Sequence, residues 1–173
     1  DDKNEFEEKT GLNFEQDVDS VVAAVMPKDG MANNPAGSFL VLARARYQAS
    51  RLEALALEHG AQVSDYNGKR LITHKDDDGK GEEMAFGFVE ADLVAFGSLS
   101  SVKASIDARA SNRNVVSNNE MMKLVNEIDN ANAWAVGKFD AIAEKAGLPS
   151  EISTAMPAIS WFSAAGHVNG GIS

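Results

Sequence analysis

Apolar residues in this chain fall into short runs separated by turn-forming residues. Runs of about four to eight apolar or alternating residues, bounded by Gly, Pro, Asn or Asp, predict strands. By this criterion, strands are predicted at 20–26, 39–45, 61–66, 69–74, 84–89, 93–97, 133–139 and 159–168. The run from Ser20 to Met26 is valine-rich and nearly continuous, which predicts a strand covered on both faces.

Apolar residues at helical spacing predict helices between these strands. The stripes are Leu52-Leu55-Ala56, Leu99-Val102-Ile106 and Met121-Leu124-Val125-Ile128. Ser117 and Glu120 have the spacing of a capping box at the start of the third helix. Two shorter helices are predicted, one over residues 2–10 that ends at Gly11 and one that ends at Gly147.

The dipeptide Asn67-Gly68 lies between two of the predicted strands. Asn-Gly supplies the two positive φ angles of a type I′ turn, so the pattern predicts a hairpin with a two-residue loop. Such a loop fixes the strand register. It places Tyr66 opposite Lys69, and the opposite charges of Asp65 and Arg70 directly across the ladder.

The order of the elements decides the fold class. Strands come in neighbouring pairs joined by short turns, with helices between the pairs, which favours an antiparallel sheet over a doubly wound parallel one. We therefore predict an α+β fold, a mainly antiparallel sheet with helices packed on one face, as one domain over residues 1–173. An aromatic residue marks a strand-to-helix junction at Tyr47 and again at Phe139. This echo suggests a duplicated strand-helix-strand-strand unit, with the second unit starting near residue 131.

The charge of the chain restricts its partners. With 16 basic and 26 acidic residues the formal net charge is −10, whereas nucleic acid and anionic lipid both require a concentrated basic surface. We therefore predict no nucleic-acid partner. The absence of cysteine excludes disulfides, thiolate metal sites and cysteine nucleophiles. No apolar run approaches the roughly 18 residues that cross a bilayer, so no transmembrane segment is predicted.

Acidic residues are densest in the loop Lys75 to Glu83, which contains three consecutive aspartates, Asp76 to Asp78. Calcium loops space their carboxylates at alternating positions, because side chains of adjacent residues diverge. Lysines also lie within this segment. The pattern therefore favours a solvated loop over a calcium site.

Histidine and serine residues give no catalytic pattern. No pair among His59, His74 and His167 has the i, i+4 spacing of a helical zinc site. Gly97-Ser98-Leu99-Ser100 stands at a strand-to-helix junction but lacks the second glycine of a nucleophile elbow, so its serines are interpreted as helix caps. We predict no catalytic, cofactor-binding or metal-binding residue and no cofactor.

Two aromatic features on predicted strands have simple structural interpretations. In Phe86-Gly87-Phe88, the alternation of a strand places the glycine on the face opposite the two rings. Trp134 and Trp161 also lie on predicted strands. Core packing is the interpretation for both, rather than stacking on a ligand.

A series of turn, cap and strand motifs carries a family resemblance. The motifs are Thr10-Gly11-Leu12, Asp17-Val18-Asp19 before an apolar strand, Tyr66-Asn67-Gly68-Lys69 before Leu71-Ile72, the Phe88-to-Phe96 hairpin ending in Gly97-Ser98, and the Val102-to-Asp107 helix. Over residues 10 to 140 the chain resembles a family of exported bacterial proteins of unknown function, lipoproteins and periplasmic proteins among them. That family has no assigned activity, so the resemblance implies no site residues.

The resemblance implies a location outside the cytoplasm, either periplasmic or anchored to the membrane through the N-terminus. A lipoprotein carries its lipid on a cysteine, and this chain has none, so that residue would lie upstream of Asp1. The chain begins at Asp1 without methionine and stops at Ser173. We therefore expect it to be part of a longer protein from which any signal peptide has been removed.

Two functions remain open from the sequence. The first is a non-catalytic domain of an exported protein that binds another protein or a small ligand through its sheet or loops. The second is a hydrolase whose site is assembled from scattered His, Asp and Ser residues. Good turn chemistry without clustered catalytic residue types favours the first over an enzyme.

Overall fold

The computed structural model describes residues 7–26, 38–74, 83–138 and 161–167. The chain divides into two compact units, residues 1–112 and residues 113–173. Several predicted features lie outside the described residues: the acidic loop apart from Glu83, the junction at Phe139 and the helix that ends at Gly147.

A six-stranded sheet dominates the first unit. Its strands are β1 (Val18–Met26), β2 (Ser38–Ala45), β3 (Gln62–Tyr66), β4 (Lys69–His74), β5 (Met84–Glu90) and β6 (Leu93–Ser98). They are arranged in the order β1-β2-β6-β5-β4-β3, and every neighbouring pair is antiparallel. The predicted α+β fold with a mainly antiparallel sheet is confirmed.

Helices flank the strands of this unit. Residues 7–10 are helical, and Gly11 follows with φ +70° while its N–H donates to the carbonyl of Glu7 at 2.7 Å, so the predicted helix end is confirmed. The longer helices are α1 (Ala49–Glu58) and α2 (Leu99–Ala110). Helix α1 begins two residues after the aromatic junction, with Gln48 as its N-cap residue, and the hydroxyl of Tyr47 donates to the carbonyl of Glu90.

The predicted Asn67-Gly68 hairpin joins β3 to β4. Both turn residues have positive φ, +50° and +74°, as a type I′ turn requires. Tyr66 pairs with Lys69, and Asp65 pairs with Arg70. The guanidinium of Arg70 donates to the Asp65 carboxylate at 3.2 Å, so the register and the cross-strand ion pair are both confirmed.

The hydrophobic core lies on one face of the sheet, which we call the first face. Across it runs a row of residues in register: Val22, Leu42, Ala95, Gly87, Leu71 and Ser64. Helix α2 packs on this face against β2, β5 and β6. Its Val102 and Ile106 are buried in one cluster with Leu71 and Ala95, as the apolar stripe of this helix predicts.

The second unit contains one helix and one strand pair among the described residues. A 3-10 turn (Val115–Ser117) leads into α3 (Asn119–Ile128), followed by the antiparallel strands β7 (Ala133–Lys138) and β8 (Trp161–Gly166). Helix α3 contacts both strands, and Val125 on its apolar stripe is buried. The single domain over residues 1–173 stays a prediction. The duplicated strand-helix-strand-strand unit, with its second copy starting near residue 131, also stays a prediction.

The predicted capping box of α3 is wrong. Asn118 caps the helix instead, since its side-chain oxygen accepts from the N–H of Met121 at 3.1 Å. Ser117 belongs to the preceding 3-10 turn, and its hydroxyl donates to the carbonyl of Asn114 at 3.0 Å. The helix therefore starts one residue later than the sequence pattern indicates, at a residue whose extended backbone suits a cap.

Gly87 provides a test of the helix-to-sheet contact. A Cβ at this position would lie 2.8 Å from Val102 and 3.0 Å from Leu71, so Gly87→Ala should overpack the core and lower the free energy of unfolding by about 1–3 kcal/mol. The measurement is urea unfolding followed by circular dichroism. Gly166→Ala is the matched control, because a Cβ there meets nothing within 4 Å. Equal stability of the two variants would contradict the packing described.

The prediction of a single domain has a direct spectroscopic test. Both tryptophans of the chain, Trp134 and Trp161, lie in residues 113–173, whereas the six-stranded sheet lies in residues 1–112. In urea, tryptophan fluorescence and far-ultraviolet circular dichroism should therefore change together if one domain unfolds cooperatively. A fluorescence transition at lower urea than the loss of the sheet would show two independent domains.

Candidate interaction surface

The second face of the six-stranded sheet carries an apolar residue in every strand along one row. The row consists of Ala23, Val41, Phe96, Phe86, Ile72 and Val63. An antiparallel sheet with one solvated face normally alternates apolar and polar residues along its strands. An unbroken apolar row on this face therefore indicates that the second face is also built to be covered.

Helix α1 accounts for the coverage at one end of this face. It contacts β3, and its Glu53 accepts hydrogen bonds from the guanidinium of Arg70 on β4. Arg70 belongs to the second face, because the adjacent Leu71 belongs to the first. Ile72, two residues further along, is only 8% exposed.

The other end of the second face is exposed on β1 and at Phe96, and half-buried on β2. We define the open patch as five residues of β1, β2 and β6: Val21, Val25, Phe39, Val41 and Phe96. Val21 is 59% exposed, Val25 71% and Phe96 44%. The rings of Phe39 and Phe96 meet edge to face with 5.8 Å between their centroids. Exposed apolar residues in one contiguous group mark an interaction surface more often than exposed residues scattered singly.

Strand β1 is exposed on both of its faces. It forms one edge of the sheet, and every residue from Asp19 to Val25 is exposed. Val22, which points to the first face, is 54% exposed. The prediction of a strand covered on both faces is therefore wrong. The valine-rich composition fits a central strand, but the topology places this segment at an edge that no described strand covers.

Charged residues at the turn between β5 and β6 pair with one another. Arg44 is hydrogen-bonded to Asp92 and lies 3.8 Å from Glu90. Arg109 of α2 donates to the other oxygen of Glu90 at 2.6 Å. Each carboxylate has an arginine partner, so this cluster ties the turn to β2 and to α2 and does not form a free acidic site.

The hairpin tip is anchored on α2. The hydroxyl of Tyr66 donates to the Asp107 carboxylate at 2.8 Å, and the amide of Asn67 donates to its other oxygen at 2.7 Å. The ammonium of Lys103 lies 5.1 Å from the centre of the Tyr66 ring. The hydrogen bond to Asp107 raises the pKa of Tyr66 above its ordinary value.

Among the described residues, the structure does not bring together the scattered His, Asp and Ser side chains that a hydrolase would use. His59, His74 and His167 are all exposed. Within the described ranges, none of their side chains is hydrogen-bonded to a serine or a carboxylate. The same residues contain no group of three His, Asp or Glu side chains placed to share a metal ion.

Ser98 is buried at the start of α2 but does not cap the helix through its side chain. It is the N-cap residue by backbone position, and its hydroxyl donates to the hydroxyl of Ser101 at 2.8 Å instead of accepting from a helix N–H. Ser100 lies 3.3 Å away. The interpretation of these serines as side-chain caps is wrong for Ser98, whose hydroxyl pairs with other serines.

The aromatic residues divide between the core and the surface. Gly87 and the rings of Phe86 and Phe88 lie on opposite faces of β5 as predicted, with the glycine on the first face beneath Val102. Trp134 is 41% exposed, so its interpretation as a core residue is wrong. Trp161 is partly buried, and its indole N–H donates to Glu120 at 3.3 Å.

Sequence reasoning missed the aromatic pair of the open patch. Phe39 and Phe96 are far apart in the chain and meet because β2 and β6 are neighbours in the sheet. The available signal was the alternation within each strand, which assigns Phe39, Val41 and Ala43 to one face. That signal does not say which strand comes next to β2, so the pair could not be predicted.

Comparisons with known proteins give no identification. No protein-family model matches the chain. No curated protein and no solved structure matches it either. Among the described helices, none combines the length and the apolar character needed to cross a bilayer. The functional argument therefore rests on the surface of the sheet.

Both tyrosines of the chain should titrate above their ordinary pKa. The pKa of Tyr66 is raised mainly by its hydrogen bond to Asp107, and that of Tyr47 mainly by burial. Tyrosinate absorbance followed against pH should rise above pH 10 in the folded protein and near pH 10 in urea. A tyrosine whose pKa is higher in the folded than in the unfolded protein stabilises the fold while it keeps its proton. The contribution of Tyr66 and Tyr47 to the free energy of unfolding is therefore complete below about pH 10, and it is lost as the pH rises through their folded-state pKa values.

Asp107→Asn separates the two tyrosines. It removes the carboxylate charge that holds the Tyr66 proton, so the pKa of Tyr66 should fall while the pKa of Tyr47 stays unchanged. Unchanged titration in this variant would contradict the hydrogen bond between Tyr66 and Asp107.

Proposed function

We propose that this chain is a non-catalytic interaction domain of an exported bacterial protein, and that it binds another protein through the open patch. The observation that carries the proposal is the apolar row across the second face, in which Ile72 near α1 is buried, Val41 is half-buried and Phe96 is exposed. A sheet face that is apolar on every strand is stable when something covers it.

The form of the open patch favours a protein over a small molecule. Its side chains stand side by side on three neighbouring strands, and a single sheet face is broad and shallow. Small ligands are bound mostly in concave pockets that enclose them. Protein interfaces are instead flat, with aromatic residues enriched at their centres, and the pair of Phe39 and Phe96 supplies such a centre.

Export is supported only by the order of motifs described for residues 10 to 140. A hydrolase is the weaker function, because its support was the presence of scattered His, Asp and Ser residues. The described histidines are exposed and form no hydrogen bond or ion pair with a described serine or carboxylate.

Site-specific photo-crosslinking in the bacterium that makes the protein tests both parts of the proposal. A photoreactive phenylalanine analogue in place of Phe96 should give a discrete adduct with another protein in the periplasmic or membrane fraction. The same analogue at Val116 is the matched control, since Val116 is also exposed, at 64%, but lies in the second unit. In a separate binding measurement with the partner that the adduct identifies, Phe96→Asp should weaken the affinity at least tenfold, because central aromatic anchors contribute more than about 1.4 kcal/mol.

Three results would count against the proposal. Equal adducts at Phe96 and Val116 would mean non-specific contact. The absence of any adduct at Phe96 would remove the open patch as the binding site. Adducts found only in the cytoplasmic fraction would support binding through the open patch but would refute export.

A further inference from the structure

The two edges of the six-stranded sheet are protected very differently. Natural proteins guard edge strands by shortness, charge, proline or a covering helix. Strand β3 has five residues, includes Asp65, and lies against α1. Strand β1 has nine residues, and from Ser20 to Met26 it contains neither charge nor proline. The irregularity between Val18 and Ser20 affects only one end of it.

The exposure of β1 indicates what kind of structure covers it. Val21 and Val25 are exposed on the second face and Val22 is exposed on the first. A molecule lying on one face would cover only one of these sets. A strand paired along the free edge places its own side chains beside both sets and satisfies the outward N–H and C=O groups of β1.

The sequence of β1 is compatible with itself. In an antiparallel pair centred on Val22, each Val22 faces the other, Val21 faces Ala23, and Ser20 faces Ala24. The two copies of Asp19 then lie near opposite ends of the pair, about six residues or roughly 20 Å apart. No like charges stand opposite each other, even though each chain carries a formal net charge of −10.

We propose that β1 pairs antiparallel with β1 of a second copy of this chain, about a two-fold axis at Val22. The pairing joins the two six-stranded sheets into one and closes on itself, as two-fold interfaces do. The inference goes beyond the proposed function and does not depend on it. Val21 and Val25 of β1 belong to the open patch, but the pairing is made by the backbone edge of β1, whereas the aromatic pair of the patch, Phe39 and Phe96, lies on β2 and β6. Phe96 on β6 is separated from the edge by β2 and β1.

Light scattering during size-exclusion chromatography of the 173-residue chain tests the dimer. The expected mass is about twice the 18.4 kDa of the chain, with a larger dimer fraction at high salt, since salt screens the repulsion between two acidic copies. Val22→Lys should give the monomer mass, because it sets two ammonium groups opposite each other. Val116→Lys is the control with the same charge change at another exposed valine, and it should remain dimeric.

A charge swap tests the register itself. Val22→Glu should also be monomeric, whereas an equimolar mixture of Val22→Lys and Val22→Glu should recover the dimer mass, with opposite charges across the axis. Circular dichroism of each variant confirms that it is folded. A monomeric wild-type chain at the highest concentration studied would overturn the proposal, and so would a dimeric Val22→Lys. A mixture that stays monomeric would overturn the axis at Val22.

The outcomes are separate from those of the proposed function. A monomeric wild-type chain that still forms Phe96 adducts would refute the β1 dimer and support the interaction domain. A dimeric chain whose Phe96 forms no adduct would support the β1 dimer and refute binding through the open patch. An adduct at Phe96 with the mass of two copies of this chain would show that the copies meet through the sheet face, which contradicts pairing through β1.

Discussion

The close contact between α2 and the sheet at Gly87 determines how the rest of the first unit is arranged. Val102 occupies the space where any side chain at this position would project, so the helix lies low across β2, β5 and β6. This contact gathers the buried cluster on the first face. It also fixes the hairpin tip, because Asp107 on the same helix accepts hydrogen bonds from Tyr66 and Asn67. Once the first face is covered in this way, the described coverage of the second face lies towards β3, where α1 packs, and at Phe88, on which the ring of Tyr47 stacks.

An apolar row that crosses all six strands on the second face is more than α1 covers. The free energy of burying apolar side chains is about 25 cal/mol per Å², and residues such as Phe96 and Val25 forgo it while exposed. Their exposure is therefore a cost to the isolated chain that a partner would remove. The same reasoning applies to β1, whose backbone edge is covered by no described strand and whose valines are exposed on both faces. The face and the edge call for different contacts, side-chain packing on one and strand pairing on the other.

Local features of the fold could be predicted from the sequence, whereas features that depend on strand order could not. The Asn67-Gly68 turn, the helix end at Gly11 and the stripe of Val102 and Ile106 are decided by nearby residues, and all are confirmed. The cap at Asn118 was missed because two adjacent polar residues competed for one role. The open patch was missed for a different reason. Its residues come from strands distant in sequence, and alternation assigns residues to a face without identifying the neighbouring strand.

The exposed β1 edge raises the question of why such a chain does not form extended aggregates. A long, uncharged edge strand pairs readily with other strands, and open-ended growth requires two free edges on each copy. The opposite edge of this sheet, β3, is short, carries Asp65 and is flanked by α1. Pairing of β1 with β1 therefore uses the one unguarded edge of each sheet and leaves two guarded ones. The formal net charge of −10 on each copy then opposes further association of dimers, so the same features that permit one contact limit the assembly to two chains.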